Sequence, residues 1–419
     1  MKLFLVSLGC DKNLVDSEKL LGRFKEQGYT LADDESEADI IVINTCAFIH
    51  DAKEESINTI LEMAEHKKDG KLKKLIVTGC LSERYHDEFA KELPEVDEII
   101  PMKELFTLNS ERILSTPGHY AHLKIAEGCN KNCAYCVIPS IRGKYVSYPL
   151  ENLVKEAEKL AEYGVKELIL VAQETTMYGV DLYGRKSLHI LLRKLSEIQG
   201  IRWIRIMYCY PEEIYDELID EMKNNEKICH YLDMPIQHAS DEVLHDMNRR
   251  TNKAELTERI AKIREEIPDI TLRTTLICGF PGETEENHKE LVKFVKDMQF
   301  DRLGCFTFSP EEGTKAFDMD NQIEEDIKEA YKDEIMSVSE KVIMKKNKSR
   351  IGNKLTCIVE GKVPDEDTYI ARSYMDAPDI DGYVFVECDH ELLTGEFINV
   401  RITGAYEYDL LGELENELT

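Results

Sequence analysis

Residues 122–136 read HLKIAEGCNKNCAYC, a strand-like apolar segment followed directly by a cysteine-rich loop. Cys129, Cys133 and Cys136 in this loop have the spacing C-x-x-x-C-x-x-C. Soft thiolates suit iron–sulfur centres, and three of them can hold three irons of a 4Fe–4S cluster. The fourth iron then keeps an open position for another ligand. The alternatives are three unrelated thiols or a zinc loop, although zinc usually takes four ligands and the loop offers three.

The segment around this loop alternates strands with helices. Strands are predicted at Glu167 to Ala172, Trp203 to Met207, His230 to Met234, Thr271 to Ile277 and Leu303 to Phe308, after a first strand at His122 to Ala126. Helical patterns lie between them at Leu150 to Tyr163, Leu188 to Ile198, Glu212 to Lys223, Lys253 to Glu265 and Glu285 to Asp297. Six such units are too few for a closed eight-fold barrel, so the sequence predicts a partial (β/α)6 TIM-like barrel.

The first part of the chain has the same rhythm. Strands are predicted at Leu3 to Leu8, Asp39 to Ile43 and Leu75 to Thr78, each followed by a helical pattern at Leu14 to Gln27, Ile57 to Ala64 and Glu83 to Leu93. This βαβαβα order predicts a doubly wound parallel sheet. The fold class is therefore α/β.

A second set of cysteines follows the three strands of this first sheet. Cys10, Cys46 and Cys80 are separated by 36 and 34 residues, about one βα unit each. The carboxyl ends of parallel strands share one edge of a sheet, where ligands bind in such folds, so the three thiols are expected to converge. A second three-thiolate cluster is the favoured interpretation, and three buried small hydrophobic residues are the alternative.

The pattern of predicted secondary structure changes in the last part of the chain. Ile323 to Lys348 is predicted as a long charged helix, and short alternating strands follow at 356–359, 383–386 and 398–402. They predict a small antiparallel β-barrel, similar to an OB-fold. We therefore divide the chain into three domains, residues 1–115, 116–348 and 349–419.

Composition narrows the class of protein. The chain has 419 residues and a formal net charge of −29, and an acidic surface repels phosphate backbones unless a basic patch overrides it. No apolar run approaches the length of about 20 residues that a membrane span needs, and the first residues lack the features of a secretory signal. A cytoplasmic location without membrane contact is the expectation.

In these features the sequence resembles the radical S-adenosylmethionine (SAM) methylthiotransferases over essentially its whole length. Cys129, Cys133 and Cys136 match the radical SAM signature, and Cys10, Cys46 and Cys80 match the auxiliary-cluster ligands of this branch. The closing barrel matches the TRAM domain of the family. Further matching segments are SLGCDKNLVDSE at 7–18, AKEESI at 52–57, IPSIRGK at 138–144, PIQH at 235–238 and GFPGET at 279–284.

Within the family the chain is similar to the RimO group, which modifies an aspartate of ribosomal protein S-twelve. Two departures flank cluster cysteines: Asp11 stands where the group usually has Pro, and Ala47 where it has Gly. The runner-up is a tRNA adenosine methylthiotransferase of the MiaB type. Residues 349–419 carry 5 basic and 16 acidic residues. The resulting negative electrostatic potential suits a basic protein better than RNA, so nucleic acid is disfavoured as substrate.

The resemblance implies two 4Fe–4S clusters and SAM as cofactors, and an electron donor such as flavodoxin or ferredoxin. The reaction it implies inserts a methylthio group at the β-carbon of an aspartate of ribosomal protein S-twelve. By position in the barrel, Gln173 and Glu174 are expected near the SAM amino group and Gln237 near its ribose. Leu276, Ile277 and Gly279 are expected to flank the adenine. A protein of a different class, a non-catalytic iron–sulfur electron carrier or metal-binding protein, is the remaining alternative.

Overall fold

The computed structural model describes residues 1–68, 71–107 and 110–415 of the chain. These residues form three units that follow one another along the sequence. Each unit is built on its own sheet: five strands in the first, six in the second and a closed five-stranded barrel in the third. The predicted α/β class, the partial barrel and the small closing barrel are confirmed.

The first unit is a parallel sheet with strand order β2-β1-β3-β4-β5. Its strands are β1 (Lys2–Ser7), β2 (Thr30–Leu31), β3 (Ile40–Thr45), β4 (Lys74–Gly79) and β5 (Glu98–Ile99). Its helices are α1 (Asp11–Glu26), α2 (His50–Glu65), α3 (Cys80–Arg84), α4 (His86–Glu92) and α5 (Met102–Phe106), with a 3-10 turn at Glu35–Glu37. Strand β3 is buried along its entire length, as its apolar run requires with helices on both faces of a parallel sheet.

The second unit is an open barrel of six parallel strands in the order β13-β12-β11-β10-β9-β6. The strands are β6 (Tyr120–Lys124), β9 (Glu167–Val171), β10 (Trp203–Ile206), β11 (Ile228–Asp233), β12 (Thr271–Cys278) and β13 (Arg302–Thr307), with a hairpin of β7 (Ala126–Glu127) and β8 (Val146–Ser147) beside them. The outer helices are α6 (Ile138–Ile141), α7 (Leu150–Glu162), α8 (Val180–Tyr183), α9 (Leu188–Ser196), α10 (Asp216–Asn224), α11 (Asp241–Asp246), α12 (Lys253–Glu266) and α13 (Glu285–Met298), with a 3-10 turn at Pro211–Glu213.

Helix α14 (Glu325–Ser349) packs against β13 and α13 and leads into the third unit. The closing barrel consists of β14 (Lys354–Lys362), β15 (Thr368–Ser373), β16 (Val384–Glu387), β17 (Phe397–Tyr406) and β18 (Asp409–Leu414). Its pairings are antiparallel except that of β16 with β18, which is parallel.

Several elements differ in detail from the sequence-based expectation. The helix predicted over 83–93 is split at Tyr85, whose backbone leaves the helical region (φ −121°, ψ 35°). The first strand of the open barrel begins at Tyr120 rather than His122, and Ala126 belongs to the separate hairpin. Strands β15 and β18 had no counterpart in the prediction. The last residues of the predicted third domain, 416–419, lie outside the described part of the chain.

The closing barrel packs against the end of the open barrel at which the strands begin. Glu167, the first residue of β9, is fully buried and accepts hydrogen bonds from Arg205 of β10 (2.8 Å) and Arg372 of β15 (2.7 Å). Asp376 of the closing barrel pairs with Arg302, and Asp381 accepts a bond from the Tyr231 hydroxyl (2.7 Å). The first unit and the cysteine loop lie at the opposite end of the open barrel, where its strands finish.

Within the described ranges, no helix combines the length and the apolar character that a membrane crossing requires.

Candidate active site

The cysteines that follow the first sheet come to one edge of it. Strands β1, β3 and β4 are neighbours; Cys46 and Cys80 directly follow the carboxyl ends of β3 and β4, and Cys10 lies three residues after the end of β1. Cys10 is the N-cap residue of α1, and Cys80 is the first residue of α3. We call these three residues the strand-end trio. All 12 cysteines of the chain carry free thiols, so none of the trio is lost to a disulfide.

Asn13 ties the strand-end trio together from within the first turn of α1. Its amide nitrogen donates to the carbonyl oxygens of Leu8 (2.9 Å) and Thr45 (3.0 Å), which end two neighbouring strands. Its side-chain oxygen lies 3.9 Å from the sulfur of Cys80. One buried amide therefore fixes the segments that carry Cys10 and Cys46, because buried backbone carbonyls must find donors, and it contacts the third thiol directly.

Gly79 lets the chain turn from β4 into Cys80. Its φ is +98°, and a Cβ there would lie 2.4 Å from both the Asn44 side-chain oxygen and the Thr45 carbonyl oxygen. Only glycine meets both conditions without strain. The position of Cys80 therefore depends on this residue.

The three thiols lie close enough to affect one another's ionisation. Burial raises the pKa of Cys80 to about 12, the positive charge of Arg142 works against this rise, and Cys10 and Cys46 add to it. The pKa of Cys46 is likewise raised by burial, with a further contribution from Cys10. Such thiols stay protonated near neutral pH unless a metal takes the place of the proton.

The cysteines of the loop form a second group, which we call the loop trio: Cys129, Cys133 and Cys136. The loop follows the β7 strand and is held by the backbone N–H of Cys129, which donates to the Gly143 carbonyl (3.1 Å). Gly128 allows this approach, because a Cβ there would lie 2.5 Å from that same oxygen. On the other side, Ala134 donates to the Met247 carbonyl (2.9 Å) and accepts from Ala316 (2.8 Å).

The loop trio is as enclosed as the strand-end trio. Burial raises the pKa of Cys136 to about 12, and the neighbouring Cys133 and Cys129 raise it further. Burial also raises the pKa of Cys129 to about 11, although the Lys131 N–H at 3.4 Å from its sulfur opposes the rise. The sulfur of Cys133 lies 3.7 Å from the Tyr210 hydroxyl.

Neither trio is arranged around a single ion. Among the described residues, the only three Cys, His, Asp or Glu whose ligand atoms all lie within 4.8 Å of one another are Cys388, Asp389 and His390 of the closing barrel. Tetrahedral zinc with Zn–S bonds of about 2.3 Å would draw its thiolates closer than that. Thiolates that each bind a different iron of a cluster need no such proximity, so the donor sets fit clusters better than zinc.

A buried charge network joins the two trios. Lys124 of β6 pairs with Asp16 of α1 and with Glu127, and all three side chains are nearly inaccessible to solvent. Arg142 donates to Glu127 (2.9 Å) and to the Asn13 side-chain oxygen (2.5 Å). The first unit and the open barrel thus share a set of ion pairs placed directly between their cysteines.

The two departures from the family pattern have local partners. Asp11 begins α1, and its carboxylate accepts a hydrogen bond from the Tyr208 hydroxyl (3.0 Å) at the end of β10. Lys12 lies over the same ring, 3.3 Å from its centroid. Ala47 is fully buried, and its carbonyl accepts from Arg84 (3.0 Å). Neither residue displaces the cysteine beside it, so Cys10 and Cys46 remain part of the strand-end trio.

Gln173 and Glu174 lie after β9 at the carboxyl end of the barrel. Burial raises the pKa of Glu174 to about 7, against the opposing hydrogen bond from Thr176. One of its carboxyl oxygens, like the side-chain oxygen of Gln173, is buried without a hydrogen-bond partner. Glu174 also acts on the pKa of Cys129, which places it beside the loop trio.

Gln237 and Gly279 follow β11 and β12 at the same barrel end. Gln237 has a left-handed backbone (φ +70°) and forms an isolated bridge with Leu276, and it accepts from the Ile277 N–H (2.8 Å). Leu276 is fully buried in the core between the sheet and the outer helices, so its side chain faces away from the barrel interior. Ile277 packs instead against a different apolar cluster, which includes Ala134 of the cysteine loop.

Some residues of the site had no signal in a single sequence. Arg249, after α11, is buried against the Tyr210 ring (4.2 Å) with two guanidinium nitrogens unpartnered. Glu283 accepts from the N–H groups of Gly279 (2.6 Å) and Phe280 (3.2 Å) and so shapes that loop. The roles of Asn13 and Arg142 also depend on contacts between distant segments. Asn13, Arg142 and Glu283 lie in the matching segments at 7–18, 138–144 and 279–284, which marked these residues without showing their contacts.

Comparison with known families matches each of the three units. Residues 2–101 match the uncharacterized protein family UPF0004, residues 123–295 the radical SAM superfamily, and residues 351–414 the TRAM domain. The boundaries predicted at 115 and 348 fall between these matches.

Curated relatives extend over the full length. "Ribosomal protein uS12 methylthiotransferase RimO" of Lachnoclostridium phytofermentans is 56% identical, over 99% of this chain and 100% of that protein. The protein of the same name from Thermoanaerobacter sp. (strain X514) is 48% identical, over 98% and 99%.

Solved structures show the same fold at low sequence identity. The radical SAM methyltransferase TsrM from Kitasatospora setae superposes with a TM-score of 0.56 at 14% identity, covering 75% of this chain and 76% of that one. The cobalamin-dependent SAM radical enzyme OxsB gives a TM-score of 0.51 at 13% identity, covering 82% and 56%.

Proposed function

The chain belongs to the RimO family of ribosomal protein uS12 methylthiotransferases, and we propose that it inserts a methylthio group at the β-carbon of an aspartate of uS12, the protein called S-twelve above. The observation that carries this proposal is the full-length identity of 56% to a protein of that name. Two cysteine trios at adjoining edges of two sheets support it, because the reaction joins SAM cleavage to sulfur transfer.

As a member of the radical SAM superfamily the chain uses SAM and a 4Fe–4S cluster, for which we propose the loop trio as ligands. We further propose a second 4Fe–4S cluster on the strand-end trio. Bound there, these groups would supply the radical chemistry that removes an unactivated hydrogen and the sulfur that takes its place. An acid–base group cannot remove such a hydrogen near neutral pH, which is why the reaction needs this chemistry.

The residues of the barrel end bind and orient the cofactor in this proposal. Glu174, with a pKa of about 7 and an unpartnered buried oxygen, can accept a hydrogen bond from the SAM ammonium. The Gln237 side chain lies at the same end for the ribose, and Ile277 and Gly279 lie there for the adenine. Leu276 contributes through its backbone bridge to Gln237 rather than by side-chain contact.

The residues between the domains exclude water from the space that the trios share. Lys124, Asp16, Glu127 and Arg142 are all buried and paired with one another. A radical must be kept from solvent and from side reactions, and a closed, charge-balanced junction does this without leaving an unpaired charge.

The charge of the chain favours a basic protein over RNA as substrate. The formal net charge is −29, and the closing barrel, with 16 acidic residues against 5 basic ones over 349–419, is the most acidic domain for its size. RNA-binding barrels carry basic grooves. An acidic surface attracts a basic ribosomal protein and steers its approach.

Three further expectations are part of the proposal. The domains divide at residues 115 and 348, and a small electron-transfer protein such as flavodoxin or ferredoxin supplies the electrons. The protein acts in the cytoplasm, where ribosomal proteins are made and assembled.

Mass spectrometry of uS12 and of tRNA from a deletion strain tests the substrate. We expect uS12 to lose a methylthio mass increment and tRNA to be unchanged, with restoration by the intact gene. Loss from tRNA with uS12 unchanged would contradict the protein substrate. No loss from either, together with no 5′-deoxyadenosine from the reconstituted protein and SAM, would contradict the enzyme.

A further inference from the structure

Arg142 belongs to one domain and reaches the cysteines of another. It follows Cys136 by one short helix, α6, and the next residue, Gly143, accepts the backbone N–H of Cys129 (3.1 Å). Its backbone is therefore clamped to the loop trio. Its side chain points the other way, into the strand ends of the first unit.

The guanidinium of Arg142 is held on both sides. One terminal nitrogen donates to Glu127 (2.9 Å) and lies 3.5 Å from Asp16. The other donates to the side-chain oxygen of Asn13 (2.5 Å), the same oxygen that lies 3.9 Å from the sulfur of Cys80. The side chain is 1% exposed, so its charge is not screened by solvent.

This charge lies close to the strand-end trio, because the Asn13 oxygen that accepts from Arg142 is also the contact of the Cys80 sulfur. A planar guanidinium has five N–H donors in a fixed fork, more than the Glu127, Asp16 and Asn13 acceptors require. It can therefore donate to sulfur without giving up its carboxylate partners.

We propose that Arg142 is a positioning residue that couples the two trios: carried by the segment that holds the loop trio, it sets the charge and hydrogen bonding around the strand-end trio. This inference rests on the proposed function, since it presumes a cluster on the strand-end trio. The potential of an iron–sulfur cluster depends on nearby charge and on hydrogen bonds to its sulfurs. Arg142 thus makes the strand-end cluster easier to reduce, and its effect on the loop cluster is the smaller one because its side chain is directed toward Asn13 and Asp16 of the first unit.

The test measures each cluster alone. In a background of C129A, C133A and C136A only the strand-end cluster remains, and in a background of C10A, C46A and C80A only the loop cluster. R142Q and R142K are placed in both backgrounds, and midpoint potentials are read by EPR-monitored redox titration. We expect R142Q to shift the strand-end cluster to a more negative potential, R142K to stay nearer the parent because it keeps the charge, and the loop cluster to shift less than the strand-end cluster.

R112Q is the matched control. Arg112 is another buried arginine of the same junction, and it donates to Glu18, to Glu156 (2.9 Å) and to the His122 carbonyl (2.7 Å). Its substitution should leave both potentials unchanged.

The outcomes separate the inference from the proposed function. An unmoved strand-end potential in R142Q, equal shifts of both clusters, or loss of both clusters in R142K would overturn the role of Arg142. Loss of the strand-end cluster alone in R142Q, with R142K retaining it, supports that role. If the strand-end cluster never forms in the parent background, the two-cluster proposal itself fails.

Discussion

The loop trio and the strand-end trio use the same three side chains but assemble them in different ways. The loop trio lies in one short segment, 129–136, and its geometry is set by local backbone contacts such as that of Cys129 with Gly143. The strand-end trio is drawn from three strands and exists only when β1, β3 and β4 pair in register. The first site is therefore a property of a sequence motif, and the second a property of a folded domain.

This difference explains how the proposed site can combine SAM cleavage with sulfur transfer. A local loop can hold a cofactor at the mouth of a barrel whose framework is shared by many enzymes, as the low-identity likeness to TsrM indicates for the fold. The thiols of the strand-end trio lie on a separate domain, and buried ion pairs join this domain to the open barrel that carries the loop trio. Changes to either domain should therefore separate the two tasks.

The largest expected effect comes from removing either trio. Replacing Cys129, Cys133 and Cys136 by Ala should abolish formation of 5′-deoxyadenosine from SAM, since no other thiolates replace them. Replacing Cys10, Cys46 and Cys80 by Ala should preserve SAM cleavage and abolish methylthio transfer to uS12. Product analysis by liquid chromatography and mass spectrometry reads both steps, and cleavage that persists in the first variant would show that the loop trio has another role.

A smaller effect is expected from a substitution that disturbs the folding of the first unit, because it should affect the strand-end trio and not the loop trio. Gly79→Ala places a Cβ against Asn44 and Thr45 at a φ of +98°, which should cost about 2–5 kcal/mol of stability in the first unit. We expect iron to be lost from the strand-end trio and retained on the loop trio. Iron analysis together with thermal unfolding of the cluster-free chain measures both.

Gly28→Ala is the matched control for Gly79→Ala. Gly28 also has a positive φ (+87°), but a Cβ there meets nothing within 4 Å. The backbone strain should cost about 1–2 kcal/mol without loss of iron. Equal iron loss in both variants would mean that overall stability, rather than the turn into Cys80, controls the strand-end trio.

The smallest effect is an acid sensitivity of the junction. Burial alone would raise the pKa of Glu127, but Lys124 and Arg142 outweigh it and hold that pKa below its usual value. A lowered folded pKa means that the stabilisation is complete above the unfolded pKa of about 4.5 and is lost as pH falls through the folded value. The cluster-free chain should thus lose more thermal stability than its E127Q variant on acidification below about pH 4.5, followed by circular dichroism. Parallel losses would assign the acid sensitivity to other groups.

The sequence was sufficient for the parts of this molecule that depend on periodicity and local spacing. The βα rhythm predicted both sheets, and the loop spacing predicted the first trio. The convergence of Cys10, Cys46 and Cys80 could be inferred because parallel strands end on one edge. That step needed topology rather than a motif.

What could not be predicted depends on contacts between distant segments. The bond of Asn13 with the Thr45 carbonyl and that of Arg142 with Asn13 span 32 and 129 residues, and no local pattern encodes them. The outward direction of Leu276 follows from the strand register, which fixes which side chains face the helices. Strands β15 and β18 escaped notice because polar and glycine residues interrupt their alternation.

The central claim is that the two trios hold two separate clusters. Iron analysis and Mössbauer spectroscopy of the anaerobically reconstituted chain test it most directly. The account predicts about eight irons per chain in 4Fe–4S form, and about four in each of the two triple Ala variants. About four irons in the intact chain, all lost with the loop trio and none with the strand-end trio, would contradict it.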